Sequence, residues 1–98
     1  MPIEETEAYK SGMAIRREVM GDAYVDASLA KNSSEFASLG QQGATEYAWH
    51  SVWSRPGLDK KQRSIICITL LAVLGKNAEL AGHVRGGLNN GLTETEIQ

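Results

Sequence analysis

Cysteine is scarce in this sequence: Cys67 is the only one among its 98 residues. A single cysteine excludes an internal disulfide and a zinc site built on cysteines, because both need more than one thiol. Cys67 also lies in an apolar run, where cysteine usually packs as a small hydrophobic residue. We therefore expect a buried, inert thiol rather than a nucleophile.

An excess of charge of one sign is also absent. The chain has ten basic and twelve acidic residues, mixed along its length, for a formal net charge of -2. A protein that binds nucleic acid needs a basic stripe to neutralise the phosphate backbone. We therefore expect no nucleic-acid partner.

Long hydrophobic runs are missing as well. The longest, Ile65 to Leu74, has ten residues and includes a threonine, which is about half of a membrane span. The opening residues, MPIEETEAYK, are polar and acidic, unlike a secretory signal. These features predict a cytoplasmic protein with no membrane partner.

What is present suits a folded, all-α protein. Apolar residues make up 42% of the chain and charged residues 22%, a composition that is typical of globular rather than disordered proteins. A chain this short has one core, so we expect a single domain over residues 1–98.

Capping signals and glycines divide the first half of the chain into helices. We predict them from about Ile3 to Met20 with Gly21 as C-cap, from Asp22 as N-cap to about Ala30, and from an Asn32–Glu35 capping box through Leu39. Gly40 and Gly43 are expected to interrupt the last of these, before a further segment that carries Tyr47, Trp49 and Trp53.

The second half carries the clearest helix, over about residues 59–75. Asp59 and Gln62 have the spacing of a capping box, and Gly75 is placed to end the helix. Its interior, IICITLLAVL, is apolar nearly all round, which predicts a central helix surrounded by the others. A further helix is expected from about Asn77 to Leu88.

The last helix signal lies at the end of the sequence. Thr93 and Glu96 again have capping-box spacing, but only Ile97 and Gln98 follow. A helix this short is marginal by itself. We expect the C-terminal helix to be truncated here and to continue beyond residue 98 in the natural protein.

Two groups of residues are candidates for chemistry. Glu79 and His83 are four positions apart on one helix face, which suits a histidine acid or base oriented by a carboxylate. The alternative is a partly exposed Glu–His pair with no chemical role. Gly86 and Gly87 would leave room beside the imidazole for a ligand or for a close-packed neighbour.

The second group contains an arginine on an apolar stripe. Arg16 shares a helix face with Tyr9, Met13 and Met20, and Arg17 follows it. Either guanidinium suits a clamp for a substrate carboxylate, although such residues also reach solvent or pair with local acids. His50 and Trp53 are candidates for a pocket wall, although tryptophans at helical spacing also suit a core or an interface.

No motif for a cofactor or metal is visible. The sequence has no C-x-x-C, no H-E-x-x-H, no glycine-rich phosphate loop and no G-x-S-x-G. We therefore expect neither a cofactor nor a metal ion.

Three blocks of sequence resemble successive parts of the carboxymuconolactone decarboxylase family. They are GMAIRREVMGDAYVDASLA, YAWHSVWSRPGLDKKQRSIICITLLAVLGK and ELAGHVRGGLNNGLTETEIQ. The resemblance covers essentially residues 12–98. It implies the all-helical AhpD-like fold, assembly into homotrimers or homohexamers, and a site near subunit contacts.

The resemblance also bears on the type of chemistry. The redox branch of this family carries C-x-x-C a few residues before a histidine that aligns with His83. Here Lys76 and Glu79 occupy those cysteine positions, so peroxide reduction is disfavoured. The relay glutamate of that branch falls on or near Ser64.

The other branch implies cofactor-free decarboxylation of 4-carboxymuconolactone to the enol-lactone of 3-oxoadipate, in aromatic catabolism. We assign proton delivery to His83 and an orienting or relay role to Glu79. Arg16 or Arg17 would hold a substrate carboxylate, with Arg85 as an alternative. His50 stands where the family is expected to have glycine. A non-catalytic oligomeric scaffold remains the alternative function.

Overall fold

The protein is all-helical over the residues described by the structure, a computed structural model that covers residues 5–98. The helices are α1 (Glu7–Met20), α2 (Asp22–Lys31), α3 (Glu35–Gly43), a π-helix (Ala44–Val52), α4 (Lys60–Leu74), α5 (Asn77–Asn89) and α6 (Glu94–Ile97). The prediction of an all-α fold is confirmed. No helix within residues 5–98 is long and apolar enough to cross a membrane.

The helices fall into two compact units. The first ends at Arg55 and contains α1 to the π-helix, and the second runs from Pro56 to Gln98 and contains α4 to α6. Each unit is described below by itself. The single domain over residues 1–98 stays a prediction.

Helix α1 begins later than predicted. Thr6 is its N-cap, and the Thr6 hydroxyl oxygen accepts a hydrogen bond from the Tyr9 amide at 3.0 Å. The predicted start at Ile3 lies outside the described residues. The predicted end is confirmed: Gly21 caps the helix with a φ of +89°, in a region that L side chains rarely adopt.

Two of the predicted N-caps are wrong. Asp22 is the first residue of α2, and Gly21 precedes it as the cap. Ser34, not Asn32, caps α3, and its hydroxyl oxygen accepts from the Ala37 amide at 3.1 Å. Asn32 instead ends α2, where its side-chain amide donates to the Ser28 carbonyl at 2.9 Å.

The expected interruption by Gly40 and Gly43 is also wrong. Helix α3 continues through Gly40 and changes at Gly43 into the π-helix, with right-handed helical backbone at Gly43 and Ala44. A glycine inside a helix costs only about 0.5–1 kcal/mol relative to alanine. Packing of the π-helix against α1 can outweigh that cost.

Local signals predicted the second unit well. The capping box of Asp59 and Gln62 opens α4, and Gly75 ends it in the left-handed conformation, with a φ of +70°. The capping box of Thr93 and Glu96 is also present and opens α6.

The expectation that α4 is surrounded by other helices is wrong for this chain. Its only buried residue is Ser64, whereas Leu70 is 55% exposed and Val73 is 80% exposed. The less exposed positions form one stripe at helical spacing: Lys60, Arg63, Ser64, Cys67, Ile68 and Leu71. Helix α4 packs against α5, and one helix can cover only one side of another.

Candidate functional site

Helix α1 approaches the π-helix most closely at Gly12. A Cβ atom at this position would lie 2.1 Å from the Thr45 carbonyl oxygen and 3.1 Å from the His50 amide nitrogen. Thr45 and His50 are five residues apart, which is the spacing of a π-helical hydrogen bond. The backbone of α1 therefore packs directly against one backbone hydrogen bond of the π-helix, and only glycine fits at this contact.

Arg16 lies one turn further along α1 and is buried, with 7% of its surface exposed. Its Nη1 donates to Gln41 Oε1 at 2.8 Å and its Nη2 donates to Ser28 Oγ at 3.2 Å. Both partners are neutral. Among residues 5–98 no carboxylate forms an ion pair with Arg16. Burial lowers its pKa, but a guanidinium keeps its charge at neutral pH.

The partners of Arg16 are tied to the same helix crossing. Gln41 lies one turn before Thr45, and the Thr45 hydroxyl donates to the Gln41 carbonyl oxygen at 2.7 Å. Thr45 is fully buried. The Gly12–Thr45 contact and the Arg16–Gln41 hydrogen bond are therefore adjacent contacts between the same two helical segments.

Arg17 differs from Arg16 in its surroundings. Its guanidinium pairs with Asp26 Oδ1 at 2.8 Å and with Asp22 Oδ1 at 3.1 Å. Hydrogen bonds to the exposed carboxylates of Asp26 and Asp22 raise the pKa of Arg17. Arg17 is thus engaged by local acids, which was one of the two alternatives from the sequence.

His50 and Trp53 also belong to the first unit. Nδ1 of His50 is buried and has no hydrogen-bond partner among the described residues. Trp53 is 8% exposed and packs on Trp49, with ring centroids 5.0 Å apart. His50 therefore presents an unsatisfied polar atom, whereas Trp53 is part of the core. Substrate contact by either residue stays a prediction.

His83 lies on α5 in the second unit and is half-buried, next to the buried Gly82. Burial lowers the pKa of its imidazole. A carboxylate neighbour would act in the opposite direction. Glu79 is exposed and is not among the causes of the shift. Arg85 is also exposed.

The space left by Gly87 is filled by a close-packed neighbour, one of the two predicted uses of these glycines. A Cβ atom there would lie 3.0 Å from Leu92 Cδ1 and 3.3 Å from Ile68 Cδ1. Nearby, Asn90 Nδ2 donates to Ser64 Oγ at 2.8 Å, so the buried serine of α4 is bonded to the end of α5. These contacts fix α5 against α4.

Metal-binding side chains do not cluster in the described part of the chain. Within residues 5–98 no group of three or more His, Cys, Asp or Glu residues could hold a metal ion. Cys67 is half-buried, and burial raises the pKa of its thiol. A raised pKa disfavours the reactive thiolate.

The structure brings together some of the predicted residues. Arg16 and His50 lie on the two sides of one helix crossing in the first unit. Glu79, His83 and Arg85 share α5 in the second. Sequence reasoning missed four residues that build the crossing: Gly12, Ser28, Gln41 and Thr45. The one available signal was Gly12, because a glycine inside a helix often marks a close contact.

Comparison with known proteins decides the family. The model of the carboxymuconolactone decarboxylase family matches residues 40–98. A 4-carboxymuconolactone decarboxylase of Acinetobacter baylyi is 38% identical over 96 residues, which is 98% of this chain and 71% of the relative. The chain belongs to the carboxymuconolactone decarboxylase family. The resemblance found in the sequence is thereby confirmed.

A second relative of this family member acts on a different acid. The nitrosuccinic acid decarboxylase of Metarhizium robertsii is 46% identical over 92 residues, which is 92% of this chain and 62% of the relative. The chain therefore spans about two thirds of the length of these relatives. No solved structure matches it.

Proposed function

We propose that this protein catalyses the cofactor-free decarboxylation of a small acid, with 4-carboxymuconolactone and nitrosuccinate as the two candidate substrates. The observation that carries the proposal is a buried guanidinium, that of Arg16, with neutral partners and no carboxylate paired to it among residues 5–98. Two relatives are named as decarboxylases of these acids.

The two candidate substrates share one arrangement of groups. In each, the carbon that loses carbon dioxide also carries a CH2–carboxylate arm and is linked to an electron-accepting group. That group is the nitro group in nitrosuccinate and the unsaturated lactone carbonyl in 4-carboxymuconolactone. When the carbon–carbon bond breaks, the electron pair moves into this group, and a proton is then added to carbon. The substrate supplies its own electron acceptor, so no cofactor is required.

Arg16 is proposed to bind the carboxylate arm that the substrate keeps. A guanidinium matches a carboxylate with two parallel hydrogen bonds, and the pair is strongest away from water. Arg17 is already engaged by Asp22 and Asp26. Of the two neighbouring arginines, Arg16 is therefore the better carboxylate clamp.

His83 is proposed to deliver the proton. Because burial lowers the pKa of His83, the free protein holds the imidazole neutral at neutral pH. An anionic substrate nearby would favour the imidazolium and raise this pKa. Substrate binding would thus protonate the His83 imidazole, which then donates the proton that the reaction consumes. Glu79, exposed on the same helix, is proposed as a relay from solvent rather than as an orienting partner.

Turnover of the two acids, followed as release of carbon dioxide, tests the reaction. We expect wild-type protein to consume at least one of them. Arg16→Gln should lower kcat/KM by about 100-fold, equivalent to about 2.7 kcal/mol, chiefly through a higher KM. The matched variant Arg17→Gln should stay within about threefold, because its surface ion pairs contribute little. Consumption of neither acid would overturn the proposed reaction.

Replacing His83 tests the proton donor separately. His83→Gln should lower kcat by at least about 100-fold, a typical loss for an acid–base group, with little change in KM. Arg85→Gln on the same helix is the control. An unchanged kcat in this variant would show that Arg85 does not take part in the reaction. Wild-type kcat in His83→Gln would remove His83 from the mechanism.

Self-association is a further part of the proposal. The exposed apolar side chains of α4 support it, because a large exposed apolar patch usually marks an interaction site. Light scattering would test for the homotrimer or homohexamer. An assembled protein that consumes neither acid would favour the scaffold function, and parallel assays with peroxide would test the redox branch.

A further inference from the structure

The imidazole of His50 has no hydrogen bond to the three hydroxyl groups in and just after the π-helix. The hydroxyls of Thr45, Ser51 and Ser54 donate to the backbone carbonyls of Gln41, Glu46 and His50, respectively. None of them is bonded to the His50 ring. Nδ1 of His50 is buried and has no hydrogen-bond partner among residues 5–98. Buried polar atoms in proteins are nearly always hydrogen-bonded.

The position of His50 is set by the helix crossing. Gly12 allows α1 to approach the His50 amide nitrogen, so that a Cβ at position 12 would lie 3.1 Å from it. Arg16 lies one turn along the same helix and is bonded to Gln41, in the segment that continues into the π-helix. One contact surface therefore fixes the backbone of His50 and the guanidinium of Arg16.

We propose that His50 is a specificity-determining residue whose Nδ1–H donates a hydrogen bond to the electron-accepting group of the substrate. This inference rests on the proposed function. Arg16 would bind the carboxylate arm, and His50 would contact the nitro or lactone oxygen on which negative charge develops. A hydrogen-bond donor suits this second group, because negative charge develops on its oxygen as carbon dioxide leaves.

Two small acids can be used to measure the Arg16 contact and the His50 contact separately. The nitronate of 3-nitropropanoate carries one carboxylate and the charged acceptor group that decarboxylation would generate. Butanoate carries one carboxylate and a methyl group in place of the acceptor group. Binding of each to the protein can be measured by NMR titration, without any turnover.

Two substitutions at His50 distinguish a hydrogen bond from packing. His50→Phe keeps a ring but removes both nitrogens, whereas His50→Asn places an amide N–H near the position of Nδ1. We expect His50→Phe to weaken nitronate binding at least about tenfold and to leave butanoate binding within about twofold. His50→Asn should keep most of the nitronate affinity, and Arg16→Gln should weaken both acids.

The variants are expected to fold, because His50→Phe removes an unsatisfied buried nitrogen. Circular dichroism checks this, and His50→Leu replaces the variant if it does not fold. Equal weakening of both acids, no weakening of either, or no nitronate binding by wild-type protein would overturn the inference. Binding that depends on His50 without turnover of either candidate substrate would keep the inference and overturn the proposed reaction. Turnover of a candidate substrate, together with unchanged nitronate binding in His50→Phe, would keep the proposed reaction and overturn the inference.

Discussion

Helices α1 and α4 differ in how far they bury their apolar residues: α1 buries Tyr9, Val19 and Met20. Helix α1 contains two adjacent arginines and buries one of them, Arg16. Helix α4 contains the longest apolar run in the chain, yet its only buried residue is Ser64. Capping signals predicted that α4 is a helix, but its apolar content did not predict how much of its surface this chain covers.

The difference lies in how each helix meets its neighbour. Helix α1 meets the π-helix at a glycine, so the two backbones approach closely and enclose the polar side chains beside the contact. Helix α4 meets α5 along one stripe and leaves Ile65, Ile66, Leu70 and Val73 exposed. A close backbone contact buries even a charged group, whereas a single stripe leaves most of an apolar helix uncovered.

Gly12→Ala is expected to break the first kind of contact and to have the largest effect on stability. The new methyl group would lie 2.1 Å from the Thr45 carbonyl oxygen, and backbone must move to accommodate it. We expect a loss of about 3 kcal/mol in the free energy of unfolding, measured by chemical denaturation.

The control for Gly12→Ala is Gly40→Ala in α3, where a Cβ atom would have no neighbour within 4 Å. That variant should gain about 0.5–1 kcal/mol from the better helix propensity of alanine. Equal effects of the two substitutions would show that the close contact at Gly12 does not hold α1 in place.

The same substitution in both helices compares their burial directly. Val19 of α1 is fully buried and Val73 of α4 is 80% exposed. Val19→Ala should cost about 2 kcal/mol, from lost burial and the cavity left behind. Val73→Ala should change the free energy of unfolding of the isolated chain by less than about 0.5 kcal/mol. A large loss at Val73 would indicate that another surface covers α4 in solution.

Ser64→Ala tests the one buried side chain of α4 and should cost less than Gly12→Ala or Val19→Ala. It removes the oxygen that accepts from Asn90 Nδ2 at 2.8 Å. We expect a loss of about 1 kcal/mol, since Asn90 keeps a longer contact of 3.4 Å to the Lys60 carbonyl. Ser11→Ala on the exposed side of α1 corrects for helix propensity. A gain at both positions would mean that the Ser64–Asn90 bond contributes nothing.

Local signals explain which helix ends could be predicted. The capping boxes of Asp59–Gln62 and Thr93–Glu96 and the C-cap of Gly75 depend on residues within one turn, and all three are present. Asn32 was wrongly assigned because Ser34 lies nearer to the helix start. Competition between adjacent capping residues is decided by backbone conformation, which a pattern of residue types does not specify.

The sequence predicted which residue types form the candidate site, but it did not predict which of two similar neighbouring residues is buried there. Two adjacent arginines suggested a carboxylate clamp, but only the fold separates the buried Arg16 from Arg17 with its two aspartates. The pair of Glu79 and His83 followed from helical spacing, yet the exposure of Glu79 did not. Spacing places side chains on one face without setting their distance from solvent.

The sequence by itself determined the helices, most of their ends, the lack of a thiol pair, and the family to which the chain belongs. These depend on local hydrogen bonds, composition and similarity along the chain. Only the tertiary structure decided that α3 continues into a π-helix, that Gly12 lets α1 pack closely against it, and that Arg16 and the His50 ring nitrogen are buried. The physical reason is that burial depends on which surfaces meet, and residues far apart in the chain form those surfaces.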